Sequence, residues 1–203
     1  MALKKILPLF SYLFHPILIP LFGTLLYLFG YDNGFAGLAK FLILAQVVLI
    51  TILLPITLLY FLKITGKADS MMLPDINQRK IPLLIQLVLV GILLSRSFTT
   101  DNVPELFYFF LGGMMSTTLA LLLVFLKFKA SLHMIGISAL TAFVIGMSIH
   151  HFDHALLEIS GLFIVSGLVG SSRLQMKAHS GIELAIGYAI GFVPQLALWV
   201  FWL

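Results

Sequence analysis

Residues 38–62 read LAKFLILAQVVLITILLPITLLYFL, an apolar stretch with one charge, Lys40. A helix that crosses a bilayer needs about 20 predominantly apolar residues, and this stretch supplies them without a break. Comparable runs recur at 8–30, 81–96, 104–127, 132–150, 154–172 and 181–203, and together they consume nearly all of the 203 residues. The chain is 61% hydrophobic and 10% charged, where a soluble domain carries about 25% charged residues. No soluble core of this size hides so much apolar surface. The expectation is a single integral membrane domain, 1–203, built as an all-α, multi-pass helical bundle of about seven spans. A soluble enzyme, a nucleic-acid binder and a disordered chain are excluded. The absence of Cys removes disulfides, thiolate chemistry and Cys-ligated metals.

Lys4 and Lys5 give a basic lead into the first run, but the run is too long for a signal peptide and lacks a small-x-small cleavage site. Pro8, Pro16 and Pro20 predict a break or bend in it, and Pro55 and Pro194 predict kinks in the second and seventh spans. Such breaks persist in a membrane only where neighbours satisfy the freed carbonyls. Seven spans put the termini on opposite faces. The N-terminal face then holds Lys4, Lys5, Lys63, Lys67, Arg79, Lys80, Lys127, Lys129, Arg173 and Lys177, against Lys40 and Arg96 on the other. That bias predicts a cytoplasmic N-terminus. The expected location is a bacterial cytoplasmic membrane, with membrane lipids as surroundings and no nucleic-acid partner; the sequence leaves the oligomeric state open.

Ionisable groups at the edge of a span are costly and mark candidate sites. Three such segments open onto the N-terminal face. Asp75 to Pro82, with Arg79 and Lys80, enters the third span; Ser131-Leu132-His133 enters the fifth; Ser172-Arg173 leaves the sixth, followed by His179 and Glu183. Arginine forks match phosphate oxygens, and a neutral imidazole attacks phosphorus or moves a proton. His179 and Glu183 are four apart at a helix start, so the carboxylate can take the Nδ1 proton and leave Nε2 as nucleophile. Gly187 and Gly191 continue that ladder and permit close approach of another helix.

Ser172-Arg173-x5-His179-x3-Glu183-x3-Gly187 resembles the last motif of the phosphatidic acid phosphatase type 2 superfamily, Ser-Arg-x5-His-x3-Asp-x3-Gly. Ser131-Leu132-His133 is similar to its middle Ser-Gly-His motif. The resemblance covers about residues 128–195. It implies the fold core of that superfamily and a phosphatase without metal or other cofactor, acting on a lipid phosphomonoester or diphosphate through a phosphohistidine. By the same resemblance His179 is the nucleophile, Glu183 its orienting carboxylate and His133 the leaving-group acid. Arg173, Ser131 and Ser172 hold phosphate. Glu183 stands where the family has the shorter Asp, Leu132 replaces Gly, and Ala130 stands in place of Pro. The first motif, Lys-x6-Arg-Pro, is not intact, since Met72 occupies the Lys position of Arg79. Arg79 and Lys80 are assigned to phosphate by face and charge alone.

The alternative is a non-catalytic or lipid-translocating membrane protein of the same fold. A metal-dependent transferase needs clustered carboxylates, and Asp69 and Asp75 are too few. His150, His151 and His154 with Asp153 have metal-ligand chemistry, but they lie on the opposite face and read as hydrated loop residues. His15 reads either as lining the pocket or, by preference, as a partner for a carbonyl freed by Pro16, Asp75 as an i,i+4 partner of Arg79, and Trp199 and Trp202 as lipid-facing or interfacial belt residues. Reporters fused after Gly66 and after Leu203 should report opposite membrane faces; reports from one face would overturn the seven-span count.

Overall fold

The computed structural model describes residues 2–31, 34–66, 75–152 and 154–203, with side chains from residue 6 onward. Lys67, Asp69, Met72 and Asp153, and the side chains of Lys4 and Lys5, lie outside the described residues. The described residues are helical and contain no strand. The helices are α1 (Ala2–Leu13), α2 (Ile19–Gly30), α3 (Gly37–Val47), α4 (Leu54–Ile64), α5 (Lys80–Arg96), α6 (Pro104–Phe125), α7 (Leu132–His150), α8 (Leu156–Gln175) and α9 (Gly181–Leu198). Six helical stretches are long and apolar enough to cross a membrane, and a seventh crossing arises if the bent pair Ile6–Leu13 and Pro16–Gly30 is one span. Their outer faces expose Leu38, Phe41, Ile164 and Val200, as an integral membrane protein requires where lipid is the solvent.

Of the three prolines in the first run, Pro16 makes the break; Pro8 stays inside α1, and Pro20 falls in the first turn of α2, where a proline is tolerated. Pro16 disfavours helical backbone at the residue before it, and His15 is extended at φ −63°, ψ 138°. The first run accordingly breaks and bends by 43°. At Pro55 the helix continues from α3 into α4 through a π-helical turn, Val48–Leu53, in which Leu54 N–H reaches back to Leu49 O. A wider turn relieves the clash of the proline ring with the carbonyl four residues earlier. Pro194 remains inside α9. It has no N–H for the carbonyl of Ile190, and the Ser116 hydroxyl of α6 shares its proton between that oxygen and Gly112 O, each at 2.9 Å.

Helix α7 is the axis of the bundle, buried from His133 to Met147 over most of its positions. Helix α9 lies against it backbone to backbone. A Cβ on Gly187 would sit 2.8 Å from Ser131 O, and one on Gly191 would overlap Ile135 O and the Ser138 hydroxyl. Both glycines are therefore demanded by the contact that the four-residue ladder predicts. Gly146 leaves a gap that the indoles of Trp199 and Trp202 fill. Trp202 is 8% exposed with its ring 6.2 Å from Phe143, which corrects its reading as an interfacial belt residue.

Replacing Gly191 by Leu should force α7 and α9 apart, at a cost of about 3 kcal/mol or more, and lower the melting temperature in detergent. Gly30→Ala, where an added Cβ meets nothing within 4 Å, should be neutral. Equal melting temperatures for the two variants would contradict the packing described.

Candidate active site

One cavity of about 220 Å³ receives Arg79, His133, Arg173, His179 and His15 at the same end. The three polar segments picked out in the sequence thus meet. The short loop between α6 and α7 joins them. Arg79 Nη1 donates to Ala130 O at 3.1 Å, Lys129 Nζ donates to Ala178 O at 3.3 Å, and Ser131 N–H donates to Glu183 O at 3.2 Å. Ser131 also caps α7, its hydroxyl accepting from Met134 N–H.

His179 is almost wholly buried, and its Nδ1–H donates to Glu183 Oε2 at 3.1 Å. The same carboxylate oxygen accepts the N–H of Ser180 at 2.9 Å, while the Ser180 hydroxyl accepts from Glu183 N–H, a capping box that starts α9. Glu183 therefore fixes both the helix start and the imidazole tautomer, with Nε2 left for chemistry. Sequence reading had found only the second role, although Ser180-x-x-Glu183 carries the signal for the first. His133 donates from Nε2 to Ser11 O at 3.0 Å, and its ring meets that of His15 edge to face at 5.3 Å.

Arg173 lies in the last turn of α8, one residue beyond the span boundary expected from hydropathy, and is 5% exposed. Among the described residues its Nε has no hydrogen-bond partner, and Nη1 reaches the thioether of Met176 at 3.8 Å. No carboxylate pairs with Arg173 among the described residues. Ser172 shares a 2.6 Å hydrogen bond with the Ser11 hydroxyl rather than lining the cavity. Lys80 is not among the lining residues; its ammonium sits 5.4 Å from the Phe125 ring centroid. The ring quadrupole holds it outside the cavity, so the cationic role falls to Arg79 alone of that pair. Asp75 accepts from Asn77 N–H at 3.1 Å and forms no ion pair with Arg79. His15 accepts from Ile17 N–H at 3.3 Å instead of serving a carbonyl, and it lines the cavity.

Ser11 and His15 carried no sequence motif. The signal lay in Pro16: the helix before it ends at Leu13, and Ser11 O, one of its last four carbonyls, is taken by His133.

Beyond the polar end the cavity continues between α4, α5 and α6, past Leu58, Leu59, Leu83, Val90, Phe109 and Phe110. From Arg79 to Val90 this wall follows roughly 16 Å of helix. No protein-family model, no curated protein and no solved structure matches this chain.

Burial, and then the charges of Arg79 and Arg173, hold the imidazole of His179 well below its ordinary 6.5, against the opposing pull of Glu183. A folded-state value below the unfolded one means that the unfolded chain binds more protons in acid. The stability contribution is therefore lost as pH falls below about 6.5. Histidine-selective NMR should find His179 neutral at pH 7 with a midpoint below about 6, and lower still in Glu183→Gln. A midpoint at or above the ordinary value would contradict this electrostatic account.

Proposed function

We propose that this protein is a divergent member of the phosphatidic acid phosphatase type 2 superfamily that hydrolyses a lipid phosphomonoester or diphosphate at the cytoplasmic face of a bacterial membrane. The observation that carries the reading is a buried guanidinium with no ion-pair partner among the described residues, Arg173, in the same cavity as His179 and His133, with an apolar passage leading away from them. A buried cation demands an anion, and the passage suits the hydrocarbon of an amphiphile.

In this mechanism Arg173 and Arg79 draw the phosphoryl oxygens against the imidazole. His179 Nε2 attacks phosphorus as the bond to the leaving oxygen breaks, and Glu183 stabilises the imidazolium that forms. The charge of the loose transition state rests on the equatorial oxygens, where fixed cations act most strongly. His133 has Nε2 committed to Ser11 O, so Nδ1 first takes the proton of the bound phosphate monoanion and then passes it to the leaving alkoxide. Once it has left, Nδ1 accepts a proton from the water that hydrolyses the phosphohistidine. The alcohol and inorganic phosphate depart, and the histidines regain their starting states.

Phosphate release from a panel of lipid phosphates by the purified protein in detergent tests this reading. His179→Ala should remove essentially all turnover and any acid-labile phosphoenzyme. Glu183→Gln should lower kcat by about 10²–10⁴. His133→Ala should spare p-nitrophenyl phosphate, whose leaving group needs no acid, relative to a lipid ester. Lipid binding without turnover would favour the non-catalytic alternative, and wild-type turnover by His179→Ala would overturn the mechanism.

A further inference from the structure

At the other end of α7, roughly 25 Å along the helix from His133, three groups of metal-ligand chemistry converge. Glu105 in the first turn of α6, and His150 and His151 at the end of α7, offer ligand atoms that all lie within 4.8 Å of one another. Glu105 Oε1 is 3.4 Å from His150 Nε2. Its other oxygen, Oε2, accepts from the Tyr27 hydroxyl at 3.2 Å. The His151 ring stacks on Tyr31 with centroids 4.9 Å apart. Its Nε2 is buried and has no hydrogen-bond partner.

We propose that Glu105, His150 and His151 form a binding site for a divalent transition metal ion of the Zn²⁺ class. An ordinary ion pair between Glu105 and His150 would explain two of the three groups and leave the buried nitrogen of His151 unsatisfied. A cation satisfies all three. Two imidazoles and one carboxylate are a ligand set suited to Zn²⁺, with water completing a tetrahedron. Tetrahedral bonds of about 2.0–2.2 Å space the ligand atoms by about 3.3–3.6 Å, so the site closes by roughly 1 Å, a movement open to the partly exposed ring of His150. The surroundings assist. The C-terminal carbonyl end of α7 favours positive charge, and the N-terminus of α6 favours an ionised Glu105. Tyr27 fixes the carboxylate as an outer-sphere donor. The ion would clamp α6 to α7 and, through Tyr27, to α2, so its role is structural and separate from the cavity at the opposite end. Sequence reading grouped the histidines with His154 and Asp153. Glu105 was missed because 45 positions separate it from His150.

The test is Zn²⁺ binding to full-length protein in detergent, purified without a polyhistidine tag and stripped with chelator. The wild type should bind one equivalent and gain thermal stability. Glu105→Gln and His151→Gln should lose that binding, and Tyr27→Phe should weaken it by about 10–100-fold. His179→Ala should bind as wild type does, which separates this site from the proposed phosphatase site. Should the ligand variants fail to fold, Co²⁺ added to wild type decides. Intense visible bands of a four- or five-coordinate ion support the site, and the weak spectrum of the hexaaqua ion overturns it. Absence of stoichiometric Zn²⁺ binding, or unchanged affinity in folded Glu105→Gln and His151→Gln, overturns it as well.

Discussion

Gly187 and Gly191 let the backbone of α9 lie on that of α7, and the hydrogen bond from Ser131 N–H to the Glu183 carbonyl closes the contact at one end. The candidate site depends on this approach. His179 precedes α9 and His133 opens α7, so the separation of the two imidazoles is set by how far apart the two helix starts stand. A side chain at either glycine would widen that separation. The adjoining loop then carries Ala130 O to Arg79 and Lys129 to Ala178 O. In a bilayer no hydrophobic force drives helices together, and close packing between small residues takes over that role.

A second constraint comes from Pro16. The helix before it ends at Leu13, which leaves Ser11 O among that helix's last carbonyls, and that oxygen fixes the ring of His133. Ser116 serves the carbonyl left by Pro194 in the same way. Both cases follow from the rule that a backbone oxygen inside a membrane protein must find a donor. In the first case the donor is a candidate catalytic imidazole, so a helix defect and the orientation of a reactive group share one hydrogen bond.

Six apolar helices, the break at Pro16, the glycine contact and the His179–Glu183 pair were legible in the sequence. Each is encoded locally, by run length, by the chemistry of one residue or by a four-residue spacing. What faces what was less legible. These helices are apolar on every side, so hydropathy does not distinguish the face of Trp202, which fills the gap at Gly146, from a lipid-facing one. Lys80 and Arg79 are adjacent and share a charge, but adjacent residues point to different sides of a helix, and only Arg79 reaches the cavity. The contacts of Ser11 with His133 and of Glu105 with His150 join distant parts of the chain, and no local spacing announces them.

The two ends of α7 show how a largely apolar chain spends its few ionisable groups. Arg173 is buried with Nε unpartnered, and Glu105 is gathered with two histidines; neither arrangement is favourable by itself. An unpaired buried cation destabilises the ligand-free protein, and the same desolvation strengthens its attraction for an incoming anion. In the proposed reaction that attraction is greatest when charge has spread over the phosphoryl oxygens, because Arg79, Arg173 and His179 approach that group from three chain segments already fixed in place. On that proposal, the unfavourable burial is the source of selectivity for the transition state over the substrate. Helices α5, α7, α8 and α9 hold these groups at their ends, where the chain can leave the helix and present a side chain, while their middles remain committed to packing and lipid.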